Sequence, residues 1–266
     1  MSKSILALAI LSTAAFADDP KPKIDISKLL PQAQIVDDVV VPVPSEIFSV
    51  LDKLGKPNWS AVLRAPKGVA KSFGQQPQVA LYLGTIIAEG FIAVEAEDAN
   101  AVKDIGNSVL SLATALSVRK AVTSRANAII AAADSKDWKL VRKELDGALS
   151  EVRGAMRELG SGQLSHLVSL GGWLRGTEAL CEVVDKNYSK DGADLLRQQM
   201  LLSFFDGQLT AIAARKPVNP IIPKIKAGLI SIQPLIGLAP DADISAKSVK
   251  EIGAIASGLV KAIQTK

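Results

Sequence analysis

Glu89 is the residue with the most chemical promise in this sequence, because from Val79 to Val94 it is the only charge in an otherwise apolar run. A carboxylate buried without a partner is costly, so it must meet a cation or give up its charge. Buried carboxylates with displaced pKa values recur at functional sites. On a helix, Gln78, Tyr82, Thr85 and Glu89 fall along one face and make a polar seam in an apolar element. Arg175 is the expected counter-ion, and a structural pair is favoured over catalysis.

The string Leu170-Gly171-Gly172-Trp173-Leu174-Arg175-Gly176 places three glycines in a helical stretch. Each costs about 1 kcal/mol relative to alanine, so something must offset them. Ser165, Ser169, Gly172, Gly176 and Ala179 line up as a seam of small residues. Such a seam lets another helix backbone come close. Packing within the chain is the favoured reading, and the floor of a groove for a ligand or a partner helix is the rival. The candidate binding residues are therefore Glu89, Tyr82, Arg175, Gly172 and Gly176. Arg175, Glu178, Glu182 and Asp185 share one helix face, read as a solvated stripe with one i,i+3 ion pair. Asp206 is read the same way, on a face with Gln199, Ser203 and Thr210.

Other chemistry finds little support. His166 is the single histidine, and the positions three and four residues away hold Gly162, Gln163, Ser169 and Leu170, none a good metal ligand. It reads as a helix-surface histidine. Asn187-x-Ser189-x-Asp191-Gly192 has the outline of a calcium loop, but Asn187 and Gln198 stand where aspartate and a bidentate glutamate belong. A helix stop followed by an N-cap accounts for it. There is no phosphate loop, paired-cysteine site, nucleotide fingerprint or G-x-S-x-G elbow. No catalytic residue, metal or cofactor is assigned. Cys181 is the only cysteine, so no internal disulfide is available, and it is expected as a small buried hydrophobe. The net charge of +4 brings no coherent basic face, because Lys136, Lys139, Arg142 and Lys143 are interleaved with Asp134, Asp137, Glu144 and Asp146. Nucleic-acid binding is not expected.

The elements that must position these residues are helices. Residues 1–17 read as a signal peptide. Lys3 precedes an apolar run from Ile5 to Phe16, and Ala15-Phe16-Ala17 suits cleavage before Asp18. Residues 18–44 hold five prolines and are expected as an extended tether, with Ile35 to Val43 lying along the domain surface. Ser45 opens a short helix that ends before Gly55, and Asn58 caps another through Leu63. Longer helices are expected from Gln76 to about Glu95, Ala99 to about Val118 and Arg119 to Ala133. Ser135 or Asp137 starts an amphipathic helix whose stripe is Trp138, Val141, Leu145, Ala148, Val152, Ala155 and Leu159, with Arg153 on the wet side. Further helices are expected from Gln163 to about Asn187, from Ser189 or Asp191 to about Arg215, from Asn219 toward Leu238 with a break at Pro234, and from Ser245 to Ile263. The apolar run that contains Glu89 falls short of the ~20 residues a membrane span needs.

The expectation is an all-α bundle of about eight or nine helices over residues 45–266, behind the tether, in an exported protein, periplasmic or secreted. A non-enzymatic role is favoured, either binding a partner protein or a second copy of itself or serving as an envelope structure. The alternative is a bundle that holds a small ligand, or performs chemistry, in an interior pocket near Glu89.

Overall fold

The structure, a computed structural model, describes residues 57–215, 219–237, 239 and 242–265, together with the backbone of two short strands near the N-terminus. Those strands, β1 (Gln34–Val36) and β2 (Val39–Val41), pair antiparallel with Ile35 opposite Val40. The expected leader, the rest of the tether and the helix after Ser45 lie outside the described residues.

The fold is all-α. The helices are α1 (Trp59–Val62), α2 (Gln76–Glu95), α3 (Ala99–Ala115), α4 (Arg119–Asp134), α5 (Trp138–Glu158), α6 (Gly162–Lys186), α7 (Lys190–Asp194), α8 (Gln199–Ala213), α9 (Ile221–Ile232) and α10 (Ala246–Gln264). A 3₁₀ turn, Gln233–Ile236, carries Pro234 and ends α9 where that proline removes an α-helical hydrogen bond and crowds the preceding turn.

Helices α2 to α6 follow one another in space as in sequence, and α6 returns to pack on α2. Leu81 meets Gly171, Gly84 meets Val168 and Gly172, and Glu89 meets Arg175, so α2 and α6 run parallel. α10 crosses back over both in the opposite sense. Its C-terminal carbonyls at Ile263 and Thr265 accept hydrogen bonds from Gln78 Nε2 at 3.3 and 2.8 Å, at the start of α2. This explains the composition of α2: covered on all sides, it is buried from Val79 to Val94 apart from Tyr82. It is the one helix among the described residues long and apolar enough to cross a membrane, and 83% of that stretch is buried inside the protein.

The four connections from α2 to α6 share one device. After each helix a single residue takes positive φ: Glu97, Ser117, Lys136 and Gly160. At the first, Glu97 N–H donates to Val94 O and Asp98 N–H to Ala93 O, the paired bonds that close a helix C-terminus. The same pair recurs at Ser117 and Val118, at Lys136 and Asp137, and at Gly160 and Ser161. The last residue of each turn is already the N-cap of the next helix, and Asp98 and Asp137 accept from Ala101 and Leu140. Three residues thus reverse the chain.

Three local expectations are corrected. The stripe on α5 is buried at Val141, Leu145, Ala148 and Val152 but the buried face is wider than expected, because α5 touches α2, α4 and α6 rather than one neighbour. Met156 and Arg153 are buried while Leu159 is 58% exposed. The helix expected from Ser189 to Arg215 breaks at residues 195–198. Leu195 and Leu196 are both buried at the break. Arg197 leaves the helical path to pair with Asp194 and to donate to the carbonyls of Ala239 (3.2 Å) and Ala242 (2.5 Å). The helix that begins at Ala99 stops at Ala115, short of Val118, because Ser117 turns the chain.

Candidate functional site

The five candidate binding residues all lie on α2 or α6, and the structure brings most of them to one crossing. The two backbones come so close at its narrow point that a Cβ on Gly84 would stand 2.0 Å from Val168 O. A Cβ on Gly171 would stand 2.0 Å from Leu81 O. Gly172 faces Gly84, whereas Gly176 has open space around it. Of the small-residue seam, Gly172 serves packing within the chain, with Gly84 as its partner, while the second close approach is made by Gly171, outside the seam, on Leu81.

One turn further along both helices, Glu89 and Arg175 meet. Arg175 Nε is 2.5 Å from Glu89 Oε2, and the residues are 1% and 3% exposed. The other carboxylate oxygen, Oε1, accepts the backbone N–H of Arg64. Arg175 Nη2 donates to Val62 O at 2.7 Å, and its Nη1 faces Glu178 Oε2 at 3.5 Å. Arg175 is thus no part of a solvated stripe: α1 and the segment after it cover that end of the face. Glu178, Glu182 and Asp185 remain at the rim.

The polar seam of α2 is consumed residue by residue. Gln78 caps α10, and Thr85 Oγ1 donates to Tyr82 O in its own helix at 2.8 Å. The Tyr82 ring lies 5.7 Å from the Phe73 ring, and partial burial raises its phenol pKa.

Beside the crossing is a cleft of about 240 Å³ between α6 and α10, bordered by Arg64. Glu178, Glu182, Asp185 and Lys250 provide its charge, and Cys181 and Gly253 part of its wall. Its charges pair with one another: Arg64 Nη2 with Glu182 at 2.9 Å, and Lys250 with Asp185 at 3.6 Å. Burial, followed by the nearby Asp185 and Glu178 carboxylates, pushes the Cys181 thiol up to about 12. It is therefore protonated and unreactive near neutral pH. Among the described residues no cluster of three or more His, Cys, Asp or Glu side chains could hold a metal ion.

The remaining candidates take plain positions. His166 packs edge-on against Phe204, with ring centres 5.4 Å apart. Ser189 caps α7 by accepting from Gly192 N at 3.0 Å, which makes the calcium-like string a helix start. Sequence reasoning missed the residues that Glu89 and Arg175 hold, the backbone of Val62 and Arg64. A backbone group carries no residue-type signal, although a buried non-helical segment must find partners somewhere. Comparison with family models, with curated proteins and with solved structures returned no match.

Proposed function

We propose that this chain is an exported, non-enzymatic helical protein whose role is to bind a partner protein or to serve as a structural part of the cell envelope. The observation that carries this reading is the engagement of Glu89. Both of its oxygens are taken, one by Arg175 and one by the Arg64 backbone. The most promising interior group is thus spent on the fold. Large apolar side chains on the outside of α8 and α9, Met200 at 74% and Ile230 at 54% exposed, agree with a role at a surface.

A second reading rests on the cleft between α6 and α10, which is lined by charged groups and, at about 240 Å³, lies just below the usual size of a ligand pocket. It places the ligand one ion pair away from Glu89 rather than against it.

Native mass spectrometry of the mature protein, gently purified from its own source, separates the two. The expected result is the mass of the chain alone, a multiple of it, or the chain with a second protein. A retained mass of a few hundred daltons beyond the chain would overturn the proposal in favour of the ligand reading.

A further inference from the structure

Residues 63–75 run from α1 to α2 without helix and lie over the bundle as a strap. Such a segment has backbone donors and acceptors that no helix ladder satisfies. The bundle supplies two of its partners, and one for the last carbonyl of α1, from its own side chains. Arg175 donates to Val62 O at 2.7 Å, Glu89 accepts from Arg64 N–H, and Ser108 Oγ on α3 accepts from Ala70 N–H at 2.9 Å. Ser108 in turn donates to Asp104 O at 2.7 Å, so its geometry is set from within α3. An outer ion pair, Arg64 to Glu182, closes the strap on α6.

The apolar anchorage is light by comparison. Trp59, Val62 and Ala70 are buried and Leu63, Ala65 and Phe73 half-buried among residues 57–75, whereas α2 buries nearly its whole length. Lys67, Gly68 and Val69 and then Lys71 and Ser72 are exposed on either side of Ala70. Gly68 and Gly74 hold positive φ. A segment with few buried apolar contacts and discrete polar ties has a lower opening free energy than the core it covers.

We infer that residues 57–75 are a clasp that lifts as a unit from an otherwise folded bundle, uncovering the Glu89–Arg175 pair and the Tyr82 face of α2. The ties sit at separate points along the strap, on α2, α3 and α6, so release at one loosens the others.

The test is native-state hydrogen exchange on the full chain, read at the amides of Arg64 and Ala70 and at the slowest amides of α2. Two variants divide the outcomes. Ser108→Ala removes the tie at Ala70 and is expected to speed exchange at the distant Arg64 amide about fivefold. Val152→Ala opens a cavity in the core of α5 and is expected to speed the slowest α2 amides by about tenfold or more while leaving Arg64 and Ala70 unchanged. The inference is overturned if Val152→Ala accelerates Arg64 as much as α2, because the strap then opens only when everything unfolds. It is equally overturned if Ser108→Ala accelerates Ala70 but not Arg64, because the strap then does not move as one piece.

Discussion

Arg175 Nε stands 2.5 Å from Glu89 Oε2 in the interior of the bundle, and the two residues between them hold the backbone of a third segment. Each charge depends on the other, since neither has water to turn to. Removing one partner leaves an uncompensated buried ion. Arg175→Met is therefore expected to lower the unfolding free energy by about 3 kcal/mol or more. The double variant Glu89→Leu with Arg175→Met should recover part of that loss, though not the ties to Val62 and Arg64. Urea denaturation of both single variants and the double variant measures the coupling. If Glu89→Leu and Arg175→Met each leave the midpoint unchanged, the pair does not hold the fold.

The α2–α6 crossing makes a sharper demand. Gly84→Ala and Gly171→Ala each drive a methyl into a carbonyl oxygen, with 2.0 Å available and no side chain to swing aside. Both are expected to prevent folding or to cost several kcal/mol, since the helices must separate. Gly176→Ala, a few residues along the same helix, meets nothing within 4 Å. It is expected to be neutral or to stabilise by up to about 1 kcal/mol through helix propensity. Thermal melts of the three proteins decide the matter.

Glu97, Ser117 and Lys136 occupy the left-handed conformation that Gly160 adopts freely at the equivalent place in the fourth turn. That conformation costs a side-chain-bearing residue about 1 kcal/mol. Each substitution to glycine is expected to raise the melting temperature by about 2–4 °C, and the three should add because the turns are separate. Gly160→Ala should lower it by a similar amount. Calorimetry on the single and triple variants tests the pattern.

Cys181 is buried, with its thiol pushed from 9.0 to about 12. Alkylation of the folded protein at pH 8 should be about a thousandfold slower than in urea, where the thiol titrates normally. The linkage follows from the same two values. Below about pH 7 the thiol is protonated in both states and contributes no pH dependence. Between 9 and about 12 the unfolded chain has lost the proton that the folded one keeps, so stability falls as pH rises through that window. Cys181→Ala should flatten that part of the stability profile. A profile that falls equally in the variant would assign the loss to other groups.

Much of the helical layout was legible along the chain because helix starts are local events. Asn58, Asp98, Asp137, Ser189 and Ser245 each accept a hydrogen bond from a backbone N–H three residues on, and short polar side chains ahead of apolar runs announce this. The lone charge at Glu89 and the cation at Arg175 were legible for a related reason: an apolar run leaves a carboxylate few ways to be satisfied. Helix stops were harder to read. Glu97, Ser117 and Lys136 turn the chain with residue types that carry no strong turn signal, and closure of a three-residue reversal between packed helices compels them to do so.

Tertiary contact alone decided which faces are wet. Periodicity gives the angle between residues on a helix and says nothing about how many neighbours that helix has. Arg153 and Arg175 both sit on faces that look solvated in one dimension, and both are buried because a second or third element covers them. The glycines of α6 advertised a close approach, but nothing in the sequence named Gly84 as the partner, 88 positions from Gly172. The ties of the strap were invisible for the deepest reason. They end on backbone atoms of Val62, Arg64 and Ala70, which every residue possesses, and only the path of the chain through space determines which of them need a side chain to receive them.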